Sequence, residues 1–359
     1  MSQIGPRPVP WLANLVPAAH GSSTDPAVLD FSANGNVIGP SAAVAPAIVA
    51  VDLSRYPDRW NRNLCALISD REHLTEQSVV AGNGSTDLIW AIARAYLGGP
   101  EDHAWIAGPT YGEYAVASAA AGASLDLQGI PTNRAIGGPL PHIAASLPST
   151  DDVPPRVLWI CHPNNPTGRP FPLELVDSLA RQWSETLFVV DEAYLTLSEG
   201  VESASPLIEH GNVVILRSLT KDLGLAGLRV GYAMAAVPIL DAVRKVLPPW
   251  SLSGLAQAGA LAALMDADHQ ARARAAVAAS RLHLLAGLRR IGLHPFPTVA
   301  NFVLVPVGDA PTVHERLLAE GLAVRDCTSF GLPDCIRIGV RPIADQELLL
   351  AALKRLSNG

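Results

Sequence analysis

The sequence predicts an α/β protein: a large unit with a mainly parallel, mixed sheet held between helices, and a smaller α+β unit attached to it. Three observations carry this. Short, uninterrupted apolar runs alternate with helical patterns between residues 85 and 216; each run ends in polar or Gly/Pro-rich residues; and after Tyr232 the texture changes to long Ala- and Leu-rich stretches. Apolar strands without polar alternation indicate a sheet buried on both faces, hence mainly parallel, with ligands at the strands' carboxyl ends. At 359 residues the chain exceeds the size at which one core stops growing, so a second unit is expected.

Taken in order, "STDLIWAIARAYLG" (85–98) has helical spacing, and "HAWIAGPTY" (103–111) reads as strand then loop. "RVLWICHPNNPTG" (156–168) repeats the strand-loop form, "PLELVDSLARQWSE" (172–185) is helical, and "TLFVVDEAY" (186–194) and "NVVIL" (212–216) are strands. The segment 255–292 reads as helices leading out of the first unit. "NFVLVPV" (301–307), "AVRDC" (323–327) and "IRIGV" (336–340) read as strands of a second layer, closed by a helix over 344–358. The first 55 residues, rich in Pro and Gly, are expected to pack with this second unit. The expected division is therefore a large unit over 56–245 and a small one built from 1–55 and 246–359.

Composition limits the function. Apolar residues make up 49% of the chain and charged residues 16%, with a net charge of −7. No run of Lys and Arg offers a footprint for nucleic acid or anionic lipid, so small molecules are the expected partners. Four cysteines, Cys65, Cys161, Cys327 and Cys335, lack the paired spacing of a zinc site, so no metal is expected and thiols in a reducing cytoplasm fit best. The amino-terminal stretch has no charged start followed by an apolar run, and no window has membrane-spanning length.

"RSLTKDLGLAGLRVGY" (217–232) sets Lys221 directly after an apolar strand, between Ser218 and Thr220 on one side and Arg229 on the other. A lone lysine at a strand end is ordinarily no more than a helix-start residue. Here other stretches supply the partners that pyridoxal 5'-phosphate needs: an amine for its aldehyde, donors for its phosphate, a carboxylate for its ring nitrogen and donors for its phenolic oxygen. "AGNGSTDL" (81–88) gives a glycine turn at Gly84 that frees the amides of Ser85 and Thr86 at a helix start, where the dipole favours an anion. Ser218, Thr220 and Arg229 complete a phosphate cup. Asp191 in "VVDEAY" ends an apolar strand, so its carboxylate sits in low dielectric and holds a ring proton strongly. Tyr194 and Asn165 are placed to donate to the phenolic oxygen, and Tyr111 in "GPTYGEY" to stack on the ring.

With "HPNNPTG", "VVDEAY" and "RSLTKDLGLAGLRVGY" in this order, the sequence resembles the fold-type I, pyridoxal-phosphate-dependent class I/II aminotransferase family over nearly its whole length. The resemblance implies that Lys221 forms the Schiff base with the cofactor, that Asp191 pairs with the ring nitrogen, and that Asn165 and Tyr194 contact the phenolic oxygen. It assigns the phosphate to Ser85, Thr86, Ser218, Thr220 and Arg229. Tyr56, in "SRYPD", matches a tyrosine that in this family reaches the phosphate of the neighbouring subunit's cofactor, which implies a homodimer.

Two subgroups compete. Histidinol-phosphate aminotransferases are similar in "RYPD", "GPTYGEY" and the lysine motif. Threonine-phosphate decarboxylases of cobalamin synthesis are similar there and also in "AAHG", "LDFSAN", "AGNG", "PPWSLSGLA" and "AVRDC". The chain departs from the decarboxylases in "GNVIGP" after "LDFSAN", in Tyr111 where some have phenylalanine, and in a shortened stretch between Arg325 and Arg337. Both subgroups accept a phosphorylated substrate, so Arg325 and His20 are candidates for its phosphate. Arg337 matches the family's arginine for a substrate carboxylate or its equivalent, and residues around Asn34 line the pocket. Whichever Cα bond stands perpendicular to the ring plane is broken: Cα–H in transamination, with Lys221 carrying the proton, or Cα–carboxylate in decarboxylation. Transamination, with 2-oxoglutarate and glutamate as the partner pair, is placed first because it is the wider family's default chemistry. A cofactor-binding scaffold without catalysis is the reading from another class, and it would lack one of these cofactor contacts. None is missing.

Overall fold

The computed structural model describes residues 8–13, 15–127, 138–140, 145, 147–149 and 152–357. The large sheet has seven strands in the order Val79–Gly82, Gly231–Met234, Val213–Ser218, Leu187–Asp191, Val157–Cys161, His103–Ile106 and Ser124–Leu127. The last five pair in parallel. Gly231–Met234 runs antiparallel to both its neighbours, so the sheet is mixed but mainly parallel.

The three central strands, Val157–Cys161, Leu187–Asp191 and Val213–Ser218, are buried at every position. Side chains alternate between faces. Leu158, Ile160, Phe188, Val190 and Ile215 enter one apolar cluster, and Val157, Trp159, Val189, Val214 and Leu216 enter the other. Burial on both faces is what an unbroken apolar run requires, because neither set can face water without losing roughly 25 cal/mol per Å². Helices Gly84–Tyr96 and Val237–Val246 cover the second face, and Leu173–Gln182 and Arg62–Glu72 the first.

The smaller sheet has three antiparallel strands, Arg325–Asp326, Cys335–Gly339 and Phe302–Pro306. Helices Ala310–Ala319 and Ile343–Ser357 and the last turns of Ala267–Arg290 close a core around Phe31, Leu288, Val303, Leu317, Ile336 and Leu353. The run read as one strand over 323–327 is two. Leu322–Ala323 pairs in parallel with Leu29–Asp30, and after Val324 the chain changes sheets so that Arg325 faces Arg337 across the other ladder.

Packing divides the chain at places other than 56 and 246. Phe31 sits in the smaller core, but Val44 enters the large one together with Ile48, against helix Gly254–Met265. That helix presents Ala256, Ala260 and Ala263 to the large core, and Gly259 allows Leu228 to approach where a Cβ would lie 2.5 Å from its Cδ1. The crossing occurs instead along helix Ala267–Arg290. Its Ala273 and Val277 pack on Leu197 of the large unit, and its Leu284 and Leu288 enter the small core.

Candidate active site

The parallel strands Leu187–Asp191 and Val213–Ser218 end side by side, and the small sheet stands opposite them. Between lies a cavity. Lys221 lines it, on the short helix Leu219–Asp222 that follows the second of these strands. Burial, reinforced by the nearby Arg337 and Arg229 guanidinium groups, pushes the Lys221 ammonium down to about 8; Asp191 and Asp222 oppose this. An amine shifted so far is substantially neutral near pH 8, the form in which it is a nucleophile. Asp222, beside it in sequence, is a buried carboxylate raised to about 7 by desolvation, a residue that the motif's pattern did not single out.

Asp191 also lines the cavity and is 3% exposed. Its Oδ1 accepts from the Ala193 amide at 2.9 Å and its Oδ2 from the Tyr114 hydroxyl at 2.8 Å. Desolvation nevertheless raises its carboxyl to about 6, since two donors only partly replace water. A cationic N–H brought into the cavity would supply the missing partner. Tyr114 was not anticipated: it stands three residues beyond Tyr111 on helix Glu113–Ala120, stacked on Trp159 with ring centroids 5.3 Å apart. Its signal was the second tyrosine of "GPTYGEY", which sits one helical turn from the first.

Ser85, Thr86, Ser218, Thr220 and Arg229 converge at one end of the same cavity. Ser85 and Thr86 open helix Gly84–Tyr96, whose first amides have no partner within the helix. Gly231 lets the neighbouring strand touch this helix start, because a Cβ there would lie 2.4 Å from the Ser85 nitrogen. Arg229 adopts φ 53°, a left-handed conformation that costs a non-glycine residue energy and is held by its surroundings. Gly84, at φ +80°, allows its approach: a Cβ at Gly84 would lie 2.8 Å from Arg229 Nη2. A helix dipole contributes about 0.3–1 kcal/mol to anion binding, and a hydrogen bond to a charged group about 1.5–3 kcal/mol; Arg229 therefore dominates this end. Thr220 contributes less freely, since its hydroxyl donates to the Val230 carbonyl at 3.3 Å. The residues present fit a phosphate. Gly84→Ala is accordingly expected to displace the guanidinium and weaken retention of a phosphorylated cofactor by roughly tenfold, about 1.4 kcal/mol. Equilibrium dialysis against pyridoxal phosphate checks this, and unchanged retention would remove Arg229 from the cup.

Tyr111, Asn165, Tyr194, Arg325, Arg337 and His20 also line the cavity. Tyr111 bonds Thr86 Oγ1 at 3.1 Å, and Tyr194 accepts from Asn34 Nδ2 at 3.3 Å. Asn34 therefore stands behind Tyr194 and is not itself a lining residue. Arg337 donates to Asn165 Oδ1 and, at 2.7 Å, to the Ser32 carbonyl, while its buried Nε and the Asn34 Oδ1 have no hydrogen-bond partner among the described residues. Unpaired buried polar atoms beside a cavity suit a polar ligand. Arg325 donates to the Ala19 carbonyl and Ser329 hydroxyl and lies over the Phe330 ring at 5.5 Å; Phe330 lines the cavity although no motif marked it. Cys161, also unmarked, lies beneath Asp191 on the adjacent strand, its thiol pushed up to about 12 by burial. Tyr56, expected to reach the partner subunit's cofactor, lies outside this cavity: it is 83% exposed and packs on Trp250 at 4.8 Å.

A strand-end lysine facing a desolvated carboxylate and an anion cup on a mainly parallel sheet matches a known family. The model for aminotransferases of class I and II aligns with residues 28–356. The chain belongs to this family. It is 34% identical over 340 residues to histidinol-phosphate aminotransferase 2 of Pseudomonas fluorescens strain Pf0-1, covering 92% of this chain and 90% of that one. It superposes on the histidinol-phosphate aminotransferase of Sinorhizobium meliloti in complex with pyridoxal-5'-phosphate with a TM-score of 0.79, at 27% identity, covering 91% and 90% of the two chains. The L-threonine-O-3-phosphate decarboxylase of Porphyromonas gingivalis shares the fold, with a TM-score of 0.77 at 24% identity over 92% and 99% of the chains.

Proposed function

We propose that this family member uses pyridoxal 5'-phosphate to transfer the amino group of a small phosphorylated amine of the histidinol-phosphate type to 2-oxoglutarate. One observation carries the reading: Lys221, Asp191 and Arg229 line a single cavity, with the amine lowered to about 8 and the carboxyl raised to about 6. When bound, the cofactor supplies an electron-accepting ring for the pair left by the bond broken at Cα. Lys221 binds its aldehyde carbon and carries a proton from the substrate's Cα. Asp191 holds the proton on the ring nitrogen. Arg229 and the amides of Ser85 and Thr86 fix the phosphate, and Asn165 and Tyr194 orient the ring through its phenolic oxygen. Arg337 and Arg325, on facing strands, take the substrate's anionic groups.

Tyr56 and Trp250 form an exposed aromatic pair that suits a homodimer, in which Tyr56 would serve the partner's cofactor. A cytoplasmic enzyme fits four buried cysteine thiols and, among the described residues, no helix long and apolar enough to cross a membrane.

A specific observation favours decarboxylation of threonine phosphate as the second reading. Two stretches of decarboxylase resemblance, "AAHG" and "AVRDC", place His20 and Arg325 on the cavity wall. Pure protein incubated with histidinol phosphate plus 2-oxoglutarate should yield glutamate. Carbon dioxide from threonine phosphate, without glutamate in the first reaction, would replace the first reading with the second. A scaffold would bind the cofactor yet never convert it to its amine form.

A further inference from the structure

Glu113 opens helix Glu113–Ala120 beside the cavity but is not among the residues lining it, and it is only 7% exposed. Both of its oxygens are engaged. Oε1 lies 2.8 Å from His20 Nε2, and Oε2 accepts from Trp90 Nε1 at 2.7 Å. Trp90 is on helix Gly84–Tyr96, the helix whose start forms the phosphate cup, so the carboxylate is fixed from one side by a rigid element. From the other it holds a histidine that lines the cavity on a segment without regular structure.

That segment is threaded between the two units. Ala18 lies where a Cβ on Gly112 would approach it to 3.1 Å, the Ala19 carbonyl accepts from Arg325 Nη2 at 2.8 Å, and a Cβ on Gly21 would meet Arg325 Cδ at 3.1 Å. The His20 ring stands 5.9 Å from Tyr111. Its Nε2 is committed to Glu113, and among the described residues no hydrogen bond engages Nδ1. An anion reaching Nδ1 would meet a ring already held by a carboxylate at its other nitrogen, so the ring's orientation is fixed before the anion arrives. Without the carboxylate, a histidine whose side chain is 52% exposed has no fixed tautomer and no fixed orientation.

We propose that Glu113, braced by Trp90, is a positioning residue: it holds His20 by Nε2 so that the ring's other edge faces the substrate's distal phosphate, without itself touching the substrate. The inference rests on the reading of the cavity as a pyridoxal-phosphate site that takes a phosphorylated amine. It adds the residue that decides phosphate preference from outside the cavity wall.

The test titrates the cofactor-loaded enzyme with O-phosphoethanolamine and, separately, with n-propylamine, following the cofactor's visible absorbance. The unaltered enzyme is expected to bind the phosphorylated amine at least about tenfold more tightly. Glu113→Gln, which keeps an acceptor for Trp90 and removes the charge, should lose about tenfold on O-phosphoethanolamine and less than about twofold on n-propylamine. His20→Ala should do the same, and the double variant should be no worse than His20→Ala, because one residue acts through the other. Trp90→Phe provides the same selective loss in smaller measure if Glu113→Gln does not fold. Equal losses on both amines, additive losses in the double variant, or no phosphate preference in the unaltered enzyme would each overturn the proposal. Failure to process histidinol phosphate or threonine phosphate, with the selective loss still present, would count against the proposed reaction and leave the role of Glu113 standing.

Discussion

Replacing Lys221 with methionine is expected to lower turnover on the order of 10⁴-fold, because it removes the amine proposed both to bind the cofactor and to carry the proton at Cα. The same substitution should stabilise the cofactor-free protein at neutral pH. In the fold the Lys221 ammonium is pushed down to about 8, against an ordinary value of 10.5. Below pH 8 both folded and unfolded chains carry the charge, so its burial cost is fully present. Between about pH 8 and 10.5 the folded chain binds fewer protons than the unfolded one, and stability rises with pH until the cost is gone. Lys221→Met removes the cost at every pH, so its melting temperature should exceed that of the unaltered apoprotein most at or below neutral pH. A loss of activity joined to a gain in stability would separate a working residue from a structural one; a lower melting temperature would show that the ammonium holds the fold. Borohydride reduction of the loaded enzyme and peptide mapping should place the label on Lys221. The chain has only two other lysines, Lys245 and Lys354, both exposed on helices, and a label on either sinks the assignment.

How far the site could be read in advance follows from where its parts lie along the chain. Asp191, Ser218 and Lys221 sit at or just beyond the ends of adjacent parallel strands, so a local apolar run followed by a polar residue announces each of them. The cup at Ser85 and Thr86 is equally local, one glycine turn before one helix. What escaped the sequence were pairings across distance. Tyr114 donates to a carboxylate 77 residues away, and Glu113 holds a histidine 93 residues before it. In both, an ordinary residue on a helix acquires its role only when two elements meet. The fold shows the same split: strands and helices of the large unit follow from periodicity, whereas the change of sheet between Ala323 and Arg325, and the return of Val44 to the large core, depend on tertiary packing.

Asp191→Asn is expected to cost on the order of 10²-fold or more in turnover, a few kcal/mol of barrier, while leaving the phosphate cup and hence cofactor retention largely intact. Asparagine keeps the shape of the side chain and one oxygen to accept from the Ala193 amide, and its Nδ2 can donate to the Tyr114 oxygen in reversed sense, so the structural loss is small. What disappears is the negative charge proposed to hold a proton on the ring nitrogen. Stability again gives an independent reading. The Asp191 carboxyl is raised to about 6 from an ordinary 3.8, chiefly by desolvation. Between those two values the folded chain binds more protons than the unfolded one, so stability falls as pH rises through the window, and above about pH 6 the buried charge bears its full cost. At pH 7.5 the cofactor-free Asn variant should therefore melt higher than the unaltered apoprotein, and at pH 4 the difference should shrink. Cofactor should reverse the order: a cationic ring nitrogen pairs with the carboxylate and relieves the cost, so the unaltered protein should gain more in melting temperature on loading than the variant does. Equal gains in the two proteins would mean that the ring nitrogen has a different partner and that Asp191 serves only to cap the turn after its strand through the Ala193 amide.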